Sequence, residues 1–352
     1  MSKCAFLSDL HFGCRANSAI FLDNQERFYR EVFFPRLEEE GIKTIINFGD
    51  TWENRTALNP VTFKRAREFY FDEIERRGMK QIMIMGNHDV HYRSTNDVNL
   101  IEFLETMYPE SVKIVRKPTV MNLDGVKFGL ISWINRENLE SSLEWMSTVD
   151  CEYLGGHFEI NDFEMTKGQV ATHGFDRNIF KRFEHVYSGH FHVRGTIGNI
   201  TYLSNPSQTN WGDLGLEKGF HIFDSETGEM EPVNNPFEMF KQATWGDDGL
   251  TPAFFDGVYG RLVVPNFAEV KRAELDMFLQ AAREVALNMY TIEDEIKADG
   301  IAIRADEVTT TAAIIDGYIQ DAYGEKDGVD VGRLKRDFDT LYSEASSKLE
   351  IE

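Results

Sequence analysis

The stretch Ile82-Met83-Ile84-Met85-Gly86-Asn87-His88-Asp89 decides how this chain is read. Four apolar residues in succession, without polar alternation, fit a strand buried on both faces, and the glycine after them permits a sharp exit from the sheet. Immediately beyond that exit stand an amide, an imidazole and a carboxylate. The arrangement recurs on both sides of this stretch. Cys4–Leu7 closes on Ser8-Asp9-Leu10-His11, and Thr44–Phe48 closes on Gly49-Asp50. Later, Glu152–Gly155 runs into Gly156-His157, and His185–Tyr187 into Ser188-Gly189-His190-Phe191-His192. In parallel sheets the loops leaving the carboxyl ends of strands converge on one edge, so side chains from distant parts of the chain meet there.

Between these runs lie segments with helical spacing, Asn24–Glu40 and Asn59–Arg77, the second opening with an N-cap asparagine and a proline at the first helical position. Strand and helix alternate, which indicates a layered α/β architecture. Further strand candidates, Val126–Trp133, Thr201–Leu203 and Gly219–Phe223, come with less helix between them, so a sandwich of two sheets flanked by helices is expected. The pattern breaks around Pro232–Pro236. A strand-like run Gly257–Val264 then leads into a helical stretch Ala268–Leu287 and a short strand Asn288–Ile292, which together make a small α/β module. Two helical segments follow near Thr311–Tyr323 and Val331–Ser346, with apolar stripes at Ile314, Ile315, Tyr318 and Ile319 and at Leu334, Phe338, Leu341 and Tyr342.

With 352 residues, 42% of them hydrophobic and 12% aromatic, the chain can bury a sizeable core in more than one compact unit. No apolar run approaches the roughly 20 residues that cross a bilayer, and the short Cys4–Leu7 run is no signal peptide. Three cysteines without CxxC spacing point to a reducing compartment, so a cytoplasmic location is expected, with no membrane partner. Against 37 Lys+Arg stand 59 Asp+Glu, a net charge of −22 that argues against an unaided electrostatic grip on nucleic acid. Half of that charge, −11 from 12 basic and 23 acidic residues, falls in residues 241–352 and suggests a C-terminal region with different work.

The donor types at the five strand ends are carboxylate oxygens, an amide carbonyl and imidazoles, the set that hard or borderline divalent metals take. In Asp9-x-His11 and His190-x-His192 alternate residues of an extended segment address one side, so each pair can serve one site. Two ions about 3.5–4 Å apart need a shared ligand, and Asp50 suits that position. His91 and His173 read as loop residues within reach of a substrate, His185 and His221 as structural, and Arg55 as a candidate phosphate contact or salt bridge.

The ordered set D-x-H, GD, GNHD, GH and GHxH resembles the signature of the calcineurin-like metallophosphoesterases. That resemblance implies a four-layer α-β-β-α sandwich with Asp9, His11, Asp50 and His192 around one ion and Asp50, Asn87, His157 and His190 around the other. His88 is left free of metal to act on the departing oxygen of a phosphodiester attacked by a metal-activated water. The runs Asp9-Leu10-His11-Phe12-Gly13, Gly86-Asn87-His88-Asp89-Val90-His91-Tyr92, Gly156-His157-Phe158-Glu159 and Ser188-Gly189-His190-Phe191-His192 are most similar to the SbcD-type nucleases of recombination and repair, in the shorter form found in T-even-like phages.

The likeness implies a metallophosphoesterase nuclease domain over 1–240, a small α/β capping domain that positions DNA over 241–295, and a helical region over 296–352 that docks on an SMC-like, SbcC-type ATPase. It also implies a DNA substrate, a homodimer, two divalent ions (manganese, with magnesium as the alternative) and, for a phage-encoded chain, the host cytoplasm. The rival readings are a phosphoesterase for small molecules or phosphoproteins and a non-catalytic scaffold. In one place the chain departs from its cellular relatives: Glu53 stands three residues after Asp50, where they often have histidine. Two bound ions would add about +4 where phosphate must sit, so the acidity does not exclude DNA. It does lead one to expect weak, salt-sensitive binding by this subunit alone, with the partner supplying much of the grip.

Overall fold

Alternation along the first strand sets the layering. In the computed structural model, β1 (Lys3–Leu7) sends Cys4 and Phe6 into one apolar cluster and Ala5 and Leu7 into another. The structure describes residues 3–265, 267, 270–293, 295–298, 301–304, 331–335 and 338. The chain divides into two compact units, residues up to 239 and residues from 240 onward.

In the first unit β1 is followed by β2 (Thr44–Asn47), β3 (Lys80–Met83), β4 (Val112–Ile114), β5 (Thr119–Leu123), β6 (Val126–Ile131) and β7 (Tyr153–Gly156). Then come β8 (Glu164–Thr166), β9 (Gln169–Val170), β10 (His185–Ser188), β11 (Gly195–Ile197), β12 (Ile200–Tyr202), β13 (Gly219–Asp224) and β14 (Met230–Asn234). One six-stranded sheet has the order β14-β13-β1-β2-β3-β4 and the other β11-β12-β10-β7-β6-β5, while β8 and β9 pair as a separate hairpin. Strands β1 to β4 run parallel, as do β6, β7, β10 and β12; antiparallel strands close every edge except that formed by β4.

Between the sheets lies a core centred on Phe6, whose ring sits 5.0 Å from Phe48, 5.5 Å from Phe128, 5.4 Å from Tyr187 and 5.1 Å from Phe223. The outer face of the first sheet packs on Ala19–Phe28 and its continuation to Glu39, and on Pro60–Ala66 and its continuation to Arg76. Both helices widen into a π-turn, at Tyr29–Phe33 and Arg67–Phe71. Phe28, Tyr29, Phe33, Phe34, Phe69, Tyr70 and Phe71 are more neighbouring aromatics than one stripe of a 3.6-residue helix can bury, yet all are buried. Tyr29 and Tyr70 meet across the two π-turns at 4.7 Å. The outer face of the second sheet carries its own cluster, including Leu154, Val186, Ile200 and Met146 of the helix Leu139–Thr148. The layers are therefore helix, sheet, sheet, helix, as the sequence led one to expect.

Some boundaries differ from those read in the sequence. The first long helix begins at Ala19, not Asn24. The break at Pro232 is an edge strand: among the described residues β14 pairs only with β13, and an edge position tolerates a residue without an N–H.

The second unit contains a parallel three-stranded sheet, β15 (Phe240–Thr244), β16 (Tyr259–Val264) and β17 (Asn288–Glu293), in that spatial order. The helix Arg272–Val285 buries Leu275, Leu279 and Ala282 in a cluster with Ala243, Leu262, Val264 and Met289. Beyond it, β18 (Glu295–Ala298) pairs antiparallel with β19 (Ile301–Arg304), so the start of the segment expected to be helical is a hairpin. The sequence carries the signal, Asp299-Gly300, between two runs that alternate isoleucine with other residues. The segment Thr311–Tyr323 lies outside the described residues. Of Val331–Ser346, residues 331–335 and 338 are described, and they are helical.

Candidate metal centre

Glycine lets the strand-end loops approach one another closely. A Cβ on Gly86 would lie 2.1 Å from Asp50 Oδ1, and one on Gly189 would lie 1.9 Å from Ser8 Oγ, so neither loop leaves room for any other residue. The loops also bend where a non-glycine residue is disfavoured. Asp9 (φ 55°), His11 (φ 46°), Asp50 (φ 55°) and His190 (φ 90°) all adopt left-handed backbone, a cost of roughly 1–3 kcal/mol at each such residue, which persists only where the surroundings enforce it. The enforcing bonds run between loops: Asp9 N donates to Gly49 O (2.9 Å), His11 N to Asp50 O (3.1 Å), and His190 N to Asp9 Oδ1 (3.1 Å). Asp9 and His11 thus converge through left-handed turns, which corrects the expectation of simple alternation along an extended segment.

All eight residues singled out from the sequence meet at this edge. Asp9, His11 and His192 form one group and Asp50, His157 and His190 another, each with its ligand atoms within 4.8 Å of one another. In the first, His11 Nε2 lies 3.1 Å from His192 Nε2 and 3.9 Å from Asp9 Oδ1. In the second, Asn87 Oδ1 sits 3.0 Å from His157 Nε2 and 2.9 Å from His190 Nδ1. Asp50 Oδ2 stands between the groups, 3.3 Å from His157 Nε2 and 3.8 Å from His11 Nε2. Two buried carboxylates, an amide oxygen and four imidazoles pointing their polar atoms at a common centre fit divalent cations, which match oxygen and imidazole donors and would neutralise the buried charge.

A surrounding layer of contacts orients these groups. His157 Nδ1 donates to Phe48 O (2.8 Å), which turns Nε2 toward Asp50. His88 Nδ1 donates to Glu53 O (2.6 Å), and its own backbone N–H donates to Asp50 Oδ1 (2.8 Å). It is therefore the backbone carbonyl of Glu53 that fixes His88. The Glu53 carboxylate instead faces His11 Nδ1 at 2.9 Å, off the axis of a straight hydrogen bond.

Sequence reasoning gave no role to Asp89, which proves to be the clamp of the site. Fully buried, it accepts from Asp50 N (2.8 Å) and Gly86 N (2.9 Å) on Oδ2 and from Thr51 N (2.9 Å) on Oδ1, tying the loop after β2 to the loop after β3. Lys218 was also missed, because a lone lysine before an apolar run reads as solvent-facing. It is buried, and its Nζ donates to His192 O (2.7 Å) and Asn205 Oδ1 (2.6 Å) while pairing with Asp213 (2.6 Å). Trp133, after β6, places its ring 5.5 Å from His190 and 6.0 Å from His157.

The electrostatics follow from burial and proximity. Burial opposes ionisation of Asp50, but the imidazoles of His157, His88 and His11 hold its carboxyl well below the usual range. Burial, followed by the charge of Asp50, pushes Asp89 up to about 7. Burial, reinforced by His157, drives His190 down to about 3, so it stays neutral and ready to ligate.

The weaker candidates lie elsewhere. His173 is exposed and faces Glu159 at 2.8 Å. His185 stacks on Tyr153 and Tyr187, and His221 is buried in β13. Arg55 is half-buried in the loop after β2.

A two-sheet sandwich whose strand ends bring carboxylates and imidazoles into two groups around a shared aspartate defines the metallophosphoesterase class. The model of the calcineurin-like phosphoesterase family matches residues 2–194, more than half of the chain, and the chain belongs to that family of phosphoester hydrolases. Among curated proteins, exonuclease subunit 1 of Enterobacteria phage T4 is 32% identical over 233 residues, 66% of this chain and 68% of that protein. Solved structures similar to this chain include a novel archaeal phosphodiesterase (16% identity, 66% of this chain and 99% of that chain, TM-score 0.35). Another is the Pseudomonas putida nuclease MPE (16% identity, 65% and 87%, TM-score 0.32).

Proposed function

We propose that this chain is the nuclease subunit of a DNA-processing complex, hydrolysing phosphodiester bonds with two divalent ions, manganese in preference to magnesium. The observation that carries this reading is the placement of Asp50 Oδ2 between the imidazoles of His157 and His11, where one carboxylate serves both groups. Asp9, His11, Asp50 and His192 would hold one ion and Asp50, Asn87, His157 and His190 the other. When bound, the pair supplies Lewis acidity, neutralising phosphoryl charge and lowering the pKa of water. The similarity to a protein named as a phage exonuclease subunit supports DNA as the substrate and further subunits as partners.

The chain's own residues supply positioning and proton transfer. With Nδ1 committed to Glu53 O, His88 presents Nε2 as the atom that gives a proton to the departing oxygen. Asp89 and Lys218 hold the loops that carry Asp50 and His192, so the ligand geometry is set before substrate arrives. On this reading residues 1–240 do the chemistry, 241–295 position DNA, and 296–352 dock on an SMC-like ATPase, with a homodimer as the assembly. No helix among the described residues is long and apolar enough to cross a membrane, and Cys4, Cys14 and Cys151 are free, which suits a reducing cytoplasm.

The test is to incubate labelled DNA with the purified protein, with and without manganese and the ATPase partner. Metal-dependent cleavage is expected. No cleavage in any combination, together with brisk turnover of a mononucleotide or phosphopeptide, would overturn the reading in favour of a small-molecule or phosphoprotein esterase.

A further inference from the structure

Directly downstream of the Asp89 clamp the chain makes a tight excursion over residues 91–98. Its base is closed by the bridge between Val90 and Asn99, by His91 N donating to Val98 O (2.8 Å) and by Leu100 N donating to Asp89 O (2.8 Å). Farther along, Asn96 Nδ2 donates to Trp133 O (2.9 Å) and Asn96 Oδ1 accepts from Asn135 Nδ2 (2.8 Å). Trp133 is the residue whose ring lies 5.5 Å from His190, and its backbone N–H donates to Met85 O (2.7 Å). The excursion is therefore anchored at both ends to groups that build the metal centre.

On this anchored rim Tyr92 is 54% exposed and Val98 50% exposed. The imidazole of His91 stands almost perpendicular to the Tyr92 ring, with centroids 4.5 Å apart and planes at 86°, so His91 covers at most one face of the phenol. Isolated exposed aromatics are ordinary on protein surfaces. What singles out Tyr92 is an exposed ring in T-shaped contact with its neighbour, on a loop tied at its base and at Asn96, four residues from His88. Placing such a ring costs little entropy when a flat apolar partner arrives. Where bases are drawn from a stack toward a hydrolytic centre, the partner that fits an open aromatic face is a nucleobase.

We propose that Tyr92 forms a stacking subsite for an unpaired nucleobase of the substrate strand, which deepens the nuclease reading above and rests on it. The subsite is indifferent to sequence, because every base offers a π-face, and its contribution falls on substrate binding. Stacking of one base on one aromatic ring corresponds to a change of roughly 5- to 100-fold in affinity.

The experiment compares wild type with Tyr92→Ala, Tyr92→Phe and Tyr92→Trp on a single-stranded oligonucleotide and on bis(4-nitrophenyl) phosphate, a phosphodiester without a base. For Tyr92→Ala the ratio of kcat/KM for DNA to that for the ester is expected to fall by roughly 5- to 100-fold, mainly through KM, with Phe and Trp restoring it. Quenching of an oligonucleotide carrying 2-aminopurine, seen with wild type, is expected to be lost in Tyr92→Ala. An unchanged ratio with unchanged quenching, in a wild type that does cut DNA, would overturn the subsite while leaving the nuclease reading intact. A wild type that turns over the ester but never DNA would overturn both.

Discussion

Replacing Asp89 with alanine removes no proposed metal ligand, yet it should damage both stability and metal binding. Four backbone N–H groups, of Asp50, Gly86, Thr51 and Trp52, lose their acceptor in a region closed to water. A buried donor left unsatisfied costs about 1–3 kcal/mol, so the gross loss reaches ~12 kcal/mol. Against this, the substitution removes a carboxylate that burial and the neighbouring Asp50 charge disfavour, as its pKa of about 7 records. The net expectation is ~3–5 kcal/mol, the range found when one member of a buried charged network is deleted. For a unit of this size 1 kcal/mol moves Tm by about 2–4 °C, so the chelated variant should melt about 6–20 °C below wild type. Asp89→Asn keeps one acceptor oxygen but turns an amide donor toward the other N–H groups, and should fall between. Differential scanning calorimetry in chelator reads the stability, and manganese titration reads the affinity, which should drop because the left-handed Asp50 is no longer held. An Asp89→Ala protein that melts within about 2 °C of wild type and binds both ions normally would refute the clamp.

Metal affinity should depend on pH in a stated direction. Burial works against protonation of His11 and His157, but Glu53 and Asp50 respectively push each up to about 9. Both therefore bind a proton more tightly folded than unfolded. Stability from that source in the metal-free protein is complete below the ordinary 6.5 and is lost as pH rises through about 9. A divalent cation has to displace these protons, so its apparent affinity should climb across the same window, by up to ~2 log units per pH unit; a flat profile in calorimetric titrations contradicts this. Lys218→Met removes the cation paired with the buried Asp213 carboxylate and leaves the carbonyl of His192 with Ser204 Oγ as its donor, and should cost ~3–5 kcal/mol in denaturant unfolding; a loss under ~1 kcal/mol would show that Lys218 holds nothing.

The chemistry of the site was legible because it is written in local sequence. Largely apolar runs ending in a polar cluster mark interior strands, with glycine at the exit of β2, β3, β7 and β10 and serine at that of β1. Edge strands lack that form. Residues 230–234 of β14 read Met-Glu-Pro-Val-Asn and stay largely accessible, so neither periodicity nor composition separates them from a loop. The four left-handed residues were invisible for another reason: their conformation is imposed by bonds from other loops, and an aspartate or histidine carries no local mark of it. Asp89 was visible as part of a motif but not as a clamp, since all its partners but Gly86 are main-chain groups 37 to 39 residues away. Glu53 shows how far side-chain reasoning reaches. The residue type alone assigned it no contact, whereas its carbonyl holds His88 and its carboxylate faces His11. The hairpin of β18 and β19 was legible in Asp299-Gly300, but the acidic run Glu293-Asp294-Glu295 set the boundary between 295 and 296.

The most direct test of a two-ion phosphodiesterase centre counts bound manganese and measures DNA hydrolysis on the same samples of wild type, His88→Ala and Asp50→Ala. Wild type should bind two ions per chain, and His88→Ala should keep both while losing turnover by ~10²- to 10⁴-fold, the usual contribution of a positioned proton donor. Asp50→Ala should lose metal occupancy and activity together. A wild type that binds no more than one ion, or a His88→Ala protein that loses metal as Asp50→Ala does, would contradict the assigned roles.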